Sequence, residues 1–341
     1  ASSQEERDKF AKFLKERYTD ITESSLPFEC VGIQHVRLDN GDLEIDQDHY
    51  AKQLRVIDTT SIKHLALTDD APALMCSTFM SLLGGIAWLC LTRMDTLVFV
   101  GRFQRCGGKP QVRDVHGLNT LLKWIKRTSC KTKYRKLVPP LCLCVIADSA
   151  YRADDEDCLA LRACILTLSE MRDGIPGGGM HLFDNYSRKQ TRVNRGTFGA
   201  ELNNCLEASE SGMMFRGVMC EILTGSKSPH VLHESINGPD IPLELHLIID
   251  AHAVYSAVSA NDVKMPNERS LIYALRSLHD RIKCGAITAL HRVDTRDMLC
   301  DALTKGSISR AELLAAQSSG QWVIKIKEQI HTWRSAVVPM K

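Results

Sequence analysis

Ser187-Arg-Lys-Gln-Thr-Arg-Val-Asn-Arg-Gly-Thr-Phe-Gly-Ala-Glu-Leu-Asn-Asn-Cys205 is the stretch from which the rest of the chain can be read. It reads as the end of a strand, a short basic turn, and a helix opening near Thr197, whose hydroxyl suits the unpaired N–H groups of a first turn. Glu201 falls one turn in, with Ala200, Leu202, Cys205 and Leu206 supplying apolar contacts around it. Alone, such a carboxylate is an ordinary surface residue favoured by the helix dipole. It gains weight because three other carboxylates fall where strands or helices would bring them alongside.

Leu141 to Ala147 is a continuous apolar run of strand length, closed by Asp148-Ser149. Leu159 to Leu168 and Met180 to Tyr186 read as a second and third strand, joined by a glycine-rich turn over 174–179. No Lys-Ser/Thr follows those glycines, which argues against a phosphate loop. After the helix of Glu201 comes a Gly/Pro/Ser loop over 225–242. Leu243 to Ile249 is a fourth strand ending in Asp250, a helical region broken near Pro266 follows, and Ala286 to Val293 is a fifth strand. A helix from about Thr295 carries Asp301, on one face with Asp297 at i, i+4. Three strands, helix, strand, helix, strand, helix predict an α/β fold with a mixed five-stranded sheet and flanking helices.

Asp148 and Asp250 would sit at the C-terminal ends of apolar strands, where the sites of open α/β sheets gather. An acidic cluster without histidine or thiolate partners suits hard, oxygen-ligated cations, above all Mg²⁺. Two such ions can hold the attacking water and the leaving oxygen of a phosphodiester. Aspartates at strand ends are also common turn residues, so spacing alone leaves both readings open.

The first 136 residues have a different texture. Residues 4–18 are helical in pattern, with Phe10, Phe13, Leu14 and Tyr18 on the apolar side. Phe28 to Ile33 and Gln34 to Leu38 are strand-like, and Asp39-Asn40-Gly41-Asp42 is a hairpin turn. Helices are expected over about Gln47–Val56, Met75–Leu91 and 113–127. Between Arg102 and Lys136 stand eleven Lys/Arg against one acid, Asp114, with Trp124 and Tyr134 interleaved. A stripe of this kind binds a nucleic-acid backbone without regard to sequence; a solvated helix face is the plainer alternative. A formal net charge of +2 over 341 residues rules out a wholly basic coat protein, so any such surface must be local. The 13 cysteines include no CxxC pair and lie mostly in apolar runs, as buried thiols of a reducing compartment would, and a zinc site is not expected. No apolar run reaches membrane-spanning length, and the start at Ser2–Arg7 does not read as a signal peptide.

These motifs, in this order, resemble the C-terminal part of copia-type retrotransposon Pol polyproteins. Ser187-Arg188-Lys189-Gln190 followed by Gly196-Thr197-Phe198-Gly199-Ala200-Glu201 resembles that family's Ser-x-x-Gln…Ser-Thr-x-x-Ala-Glu segment. Ala147-Asp148-Ser149, Ile249-Asp250-Ala251 and Cys300-Asp301-Ala302-Leu303-Thr304-Lys305 resemble its other ribonuclease H signatures. Leu82-Leu83-Gly84-Gly85-Ile86-Ala87-Trp88 through Thr92-Arg93-Met94-Asp95 and the helix over Leu121–Thr128 resemble its connection region. Val31-Gly32-Ile33 and Gln47-Asp48-His49-Tyr50 match further upstream.

The resemblance spans residues 10–305. It implies a reverse-transcriptase tail over 1–70 (primer-grip hairpin and thumb), a helical connection over 71–136, a ribonuclease H-like domain over 137–305 and an extension over 306–341. Asp148, Glu201, Asp250 and Asp301 would be its catalytic, metal-binding carboxylates, holding two Mg²⁺ or Mn²⁺ ions; Asp301 is preferred to Asp297 because it alone lies in the Asp-x-Leu-Thr-Lys match. An RNA–DNA hybrid would lie along Lys123, Lys126, Arg127, Lys131, Lys133, Arg135, Lys136, Arg188, Lys189 and Gln190. There are departures. The polymerase Tyr-x-Asp-Asp is absent, Gly196 stands where serine is usual, and an acidic run over Asp154–Asp157 follows Asp148. Residues 306–341, with Trp322 and Trp333, fall outside the match. Two functions follow: an endoribonuclease acting on hybrids, or a captured retroelement fragment serving without catalysis as a subunit of a larger protein assembly.

Overall fold

A computed structural model of the chain describes residues 4–18, 21–151, 159–225, 228–238 and 242–331. The acidic run over Asp154–Asp157 and Trp333 lie outside them. In order, the elements are α1 (Gln4–Arg17), β1 (Phe28–Cys30), β2 (Ile33–Arg37), β3 (Leu43–Asp46), α2 (Asp48–Gln53), α3 (Ala73–Leu89), α4 (Leu97–Arg105), α5 (Val112–Arg127) and β4 (Thr132–Tyr134). There follow β5 (Leu141–Ala150), β6 (Leu161–Arg172), β7 (Ile175–Lys189), α6 (Thr197–Thr224), α7 (Pro229–Asn237), β8 (Glu244–Ile249), α8 (His252–Ser259), α9 (Ile272–Lys283), β9 (Ala289–Val293), α10 (Asp301–Thr304), α11 (Ala311–Ser319), β10 (Gln321–Val323) and β11 (Ile326–His331).

The apolar runs become the middle of a mixed sheet ordered β10-β7-β6-β5-β8-β9-β11. β5, β6 and β7 form an antiparallel meander, and β8 and β9 continue parallel to β5. The β5 run is apolar at every position because both faces are covered. Leu143, Val145 and Ala147 pack with α6, α8 and α9, whereas Cys142, Cys144 and Ile146 pack with the segment around α10 and α11. Each fully buried leucine or isoleucine here contributes ~1.5–3 kcal/mol. α6 lies close to the sheet where it has no side chain: a Cβ on Gly212 would sit 2.4 Å from Val145.

Seven strands stand where five are expected. The two extra ones come from the C-terminal extension, β10 pairing antiparallel with β7 and β11 antiparallel with β9. The glycine run is correspondingly a strand: the turn is Asp173-Gly174, both at positive φ, and Gly177–Gly179 pair with β10. The expected loop over 225–242 contains α7, packed on α6.

The first 136 residues build a second core from Phe79, Ile86, Val115, Leu118 and Leu122 on α3 and α5, beside a small sheet ordered β1-β2-β3-β4. The Asp39–Asp42 turn joins β2 to β3, with Gly41 at φ +87°. Arg93 is buried in an ion pair with Asp95 (3.0 Å) and donates to the carbonyls of Ile125 and Thr128, capping the end of α5. The two cores are tied by buried Gln317 of α11, which donates to the Thr92 carbonyl and to the Thr132 hydroxyl (2.6 Å). α1 forms as the pattern predicts, but none of its residues is buried, and Phe10 and Phe13 are exposed. Its apolar side has periodicity but finds no packing partner among the described residues.

Candidate active site

β5 carries Asp148 to the end of the central strand, on the side of α10; β8 ends at Ile249, so Asp250 is the first residue past it; α10 opens at Asp301. Their carboxylate oxygens lie within 4.8 Å of one another. Glu201 stands outside that set, one turn into α6, and with Asp148, Asp250 and Lys305 lines a cavity of about 590 Å³. Asp301 and Asp297 are separated, because the helix expected from Thr295 is broken into a 3₁₀ turn and the short α10. Asp297 turns away to Lys325 (3.1 Å), and Asp294 to Arg296 and Lys327.

Burial sets the electrostatics. Asp148 is pushed up to about 7, first by burial and then by the Asp301 and Asp250 carboxylates, against the pull of Lys305 and the Thr304 hydroxyl. Burial, then Asp148 and Asp250, pushes Glu201 up to about 10. Asp301 is raised by burial and by Asp250, with Lys305 opposing. Burial pulls the Lys305 ammonium down, yet Asp148, Asp301 and Asp250 together hold it above its ordinary value.

Two residues not among the expected site residues complete the cluster. Thr304 donates its hydroxyl to Asp148, and Lys305 pairs with Asp301 while lying 3.9 Å from Asp148. The signal for Lys305 was available, since Asp301 and Lys305 stand at i, i+4. The start of α6 is fixed by a run of amides. Asn203 donates to Asn194 (3.0 Å), Asn194 to Gln190, and Gln190 to the Ala200 carbonyl (2.7 Å). Asn204 donates to the Asp148 and Ala163 carbonyls, holding the ends of β5 and β6 against the helix. The helix cap is Gly196 rather than Thr197, without a side-chain bond.

The donors suit a divalent cation. They are all carboxylate oxygens, hard ligands for Mg²⁺ or Mn²⁺, and Glu201 Oε2 is buried without a hydrogen-bond partner. An orphaned carboxylate oxygen at such depth is costly unless a cation or proton meets it.

The expected nucleic-acid residues are dispersed. Lys126 donates to the Lys52 and Leu54 carbonyls, Arg127 to Lys123, and Lys131 and Lys133 both pair with Glu44. Lys123 and Lys136 are exposed, and Arg135 is half-buried near Gly320. Arg188 lies over the Tyr186 ring at 4.6 Å. Gln190 is not on the surface at all: it is 2% exposed and its amide is spent on α6. Every described cysteine is free, and no helix among the described residues is long and apolar enough to cross a membrane.

A scan against protein families finds no match, and a search of curated proteins finds no relative. Among solved structures, the chain is similar to the N-terminal RNase H domain of Rv2228c from Mycobacterium tuberculosis, solved as a fusion with maltose binding protein. The identity is 12%, over 51% of this chain and 96% of that one, with a TM-score of 0.29. The strand order and connections define a ribonuclease H-like fold: a meander of three antiparallel strands, a helix, then two strands parallel to the first.

Proposed function

We propose that this chain is a retroelement-derived ribonuclease H that cleaves the RNA strand of RNA–DNA hybrids and does not polymerise. The observation that carries the reading is the meeting of Asp148, Asp250 and Asp301 within 4.8 Å, delivered by three elements distant in sequence, beside the orphaned oxygen of Glu201. These four residues would hold Mg²⁺ or Mn²⁺, two ions in the full site, which supplies positive charge at the phosphodiester and an activated water. The chain's own residues prepare that site. Thr304 orients the Asp148 carboxylate, Lys305 balances the aspartates, and the amides of Gln190, Asn194 and Asn203 fix where α6 presents Glu201. The 2′-hydroxyl and A-like shape would mark the RNA strand.

The copia-type motifs support the origin, and with it a division into a reverse-transcriptase tail (1–70), connection (71–136), ribonuclease H-like domain (137–305) and extension (306–341). One observation favours the second reading, a non-catalytic subunit of a larger assembly: the Lys305 ammonium is an internal counter-charge that lets the aspartates persist with no metal bound. Incubating the purified chain with a hybrid labelled on its RNA strand, with Mg²⁺, decides between them. Cleavage that disappears in Asp250→Asn while folding is retained supports the enzyme. Neither cleavage nor Mg²⁺-dependent thermal stabilisation in the unsubstituted protein supports the subunit.

A further inference from the structure

A second cavity, of about 570 Å³, opens on the other side of Thr304 from the carboxylates. Arg102 and Arg105 from α4 and Lys189 at the end of β7 line it, together with Ala150, Thr304 and Ser307, and no carboxylate does among the described residues. The two arginines stand at i, i+3 on α4, so they project from one face. Both are exposed. α4 reaches β7 at Gly101, where a Cβ would lie 3.8 Å from the Ser187 carbonyl oxygen, and this contact sets the arginines beside Lys189.

The rim is stiff. Arg310 lies over the Phe99 ring at 4.6 Å and donates to the carbonyls of Ala302 (3.3 Å), Lys305 (3.0 Å), Gly306 (3.2 Å) and Ile308. It thereby clamps the 302–308 turn to α4. The Ser187 hydroxyl donates to the Leu303 carbonyl (2.6 Å), joining β7 to the same turn.

The cavity also lies next to the acidic centre, with Ala150 in the lining of both. Thr304 donates to Asp148, and Ala150 follows Asp148 by two residues, ~7 Å along a strand. Beside a carboxylate cluster that would hold cations, a cationic cavity suits a polyanion that extends from one to the other. We infer that the Arg102–Arg105–Lys189 cavity receives a backbone phosphate of the nucleic-acid strand whose neighbouring linkage lies at the carboxylates. This assignment rests on the hybrid-cleaving reading above. It gives a role to α4, from the same basic stretch as Lys126, Lys131 and Lys133, which have partners of their own.

The experiment compares the full chain carrying Asp250→Asn, to prevent cleavage, with the same chain also carrying Arg102→Gln and Arg105→Gln. Hybrid binding is measured across a salt series. Two lost phosphate-neutralising charges should flatten the slope of log K against log salt by ~0.9 each and weaken binding tenfold or more at low salt. A hybrid with single neutral methylphosphonate linkages, scanned along the strand, supplies the second readout. One position should weaken the parent and leave the double variant no weaker than before, the signature of a shared contact. Equal affinity and equal slope in parent and variant would overturn the cavity assignment while leaving cleavage by the unsubstituted chain, and so the enzyme reading, intact. A parent that binds no hybrid would overturn both. Unchanged thermal melts confirm that the exposed arginines report binding rather than folding.

Discussion

Glu201→Gln should make the metal-free protein more stable. Burial beside Asp148 and Asp250 holds the Glu201 carboxyl up to about 10, whereas an unfolded chain ionises glutamate near ~4.3. At pH 7 the folded protein therefore keeps a proton that the unfolded chain has released. The cost is the gap between pH 7 and the unfolded value at 1.36 kcal/mol per unit, ~4 kcal/mol. Glutamine copies the protonated carboxyl in shape and has no charge to release, so it removes that cost. The sign follows from the raised value: the stability due to protonation is complete below the unfolded pKa and is lost as pH rises through about 10. The advantage of the variant should accordingly vanish near pH 4, reach ~4 kcal/mol at pH 7, and grow by ~1.4 kcal/mol per further unit up to about 10. Urea or thermal unfolding in EDTA at pH 5, 6, 7, 8 and 9 measures it. Saturating Mg²⁺ should narrow the gap, since a ligand at 100 times its Kd adds ~2.7 kcal/mol to a protein that binds it, and the variant has lost a ligand. An advantage that does not change with pH, or a variant less stable than its parent at pH 8 in EDTA, would show that Glu201 is not buried among carboxylates.

Other outcomes can be checked independently. The purified chain should extend no primer, because it has no Tyr-x-Asp-Asp; extension surviving contaminant controls would refute this. Gly212→Ala should destabilise by ~1–2 kcal/mol in denaturant melts, because a Cβ there would lie 2.4 Å from a stiff valine on the central strand. Gly84→Ala, with nothing within 4 Å of the new methyl and a helical backbone, should instead stabilise by up to ~1 kcal/mol. Gln317→Ala should cost ~1–3 kcal/mol by leaving the Thr92 carbonyl and Thr132 hydroxyl unpaired, and hydrogen exchange should rise together at β4 and at the turn that follows α3.

The central sheet was legible because strands covered on both faces must be apolar at every position, and Leu141–Ala147 is. Asp148 and Asp250 could be found as the polar residues that end such runs. What could not be read depended on pairing between distant segments. Gln321–Val323 and Ile326–His331 are short edge strands whose partners lie over 140 and about 35 residues upstream, and no local pattern reports a partner. The glycines at 177–179 signal a turn by composition, yet they pair as a strand against Trp322. The periodicity of α1 gives its helix but not the exposure of Phe10 and Phe13, because an apolar face says nothing about what covers it. Gln190 stands beside Arg188 and Lys189 in a basic turn, and only the fold shows its amide turned inward to Ala200.

The late arrival of β10 and β11 has a consequence for how the protein is made. Synthesis proceeds from the N-terminus, and domains settle as they emerge. Here β9 and the outer edge of β7 at Gly177–Gly179 must wait for residues 321–331 before their backbone groups are paired. Until then the nascent sheet presents two bare edges, the kind of surface that recruits strands from neighbouring chains. A ribosome that stalls between β9 and β10, or a gene cut back to the end of the motif at Lys305, would therefore yield a sticky product, and the last strands act as the protein's own safeguard against aggregation.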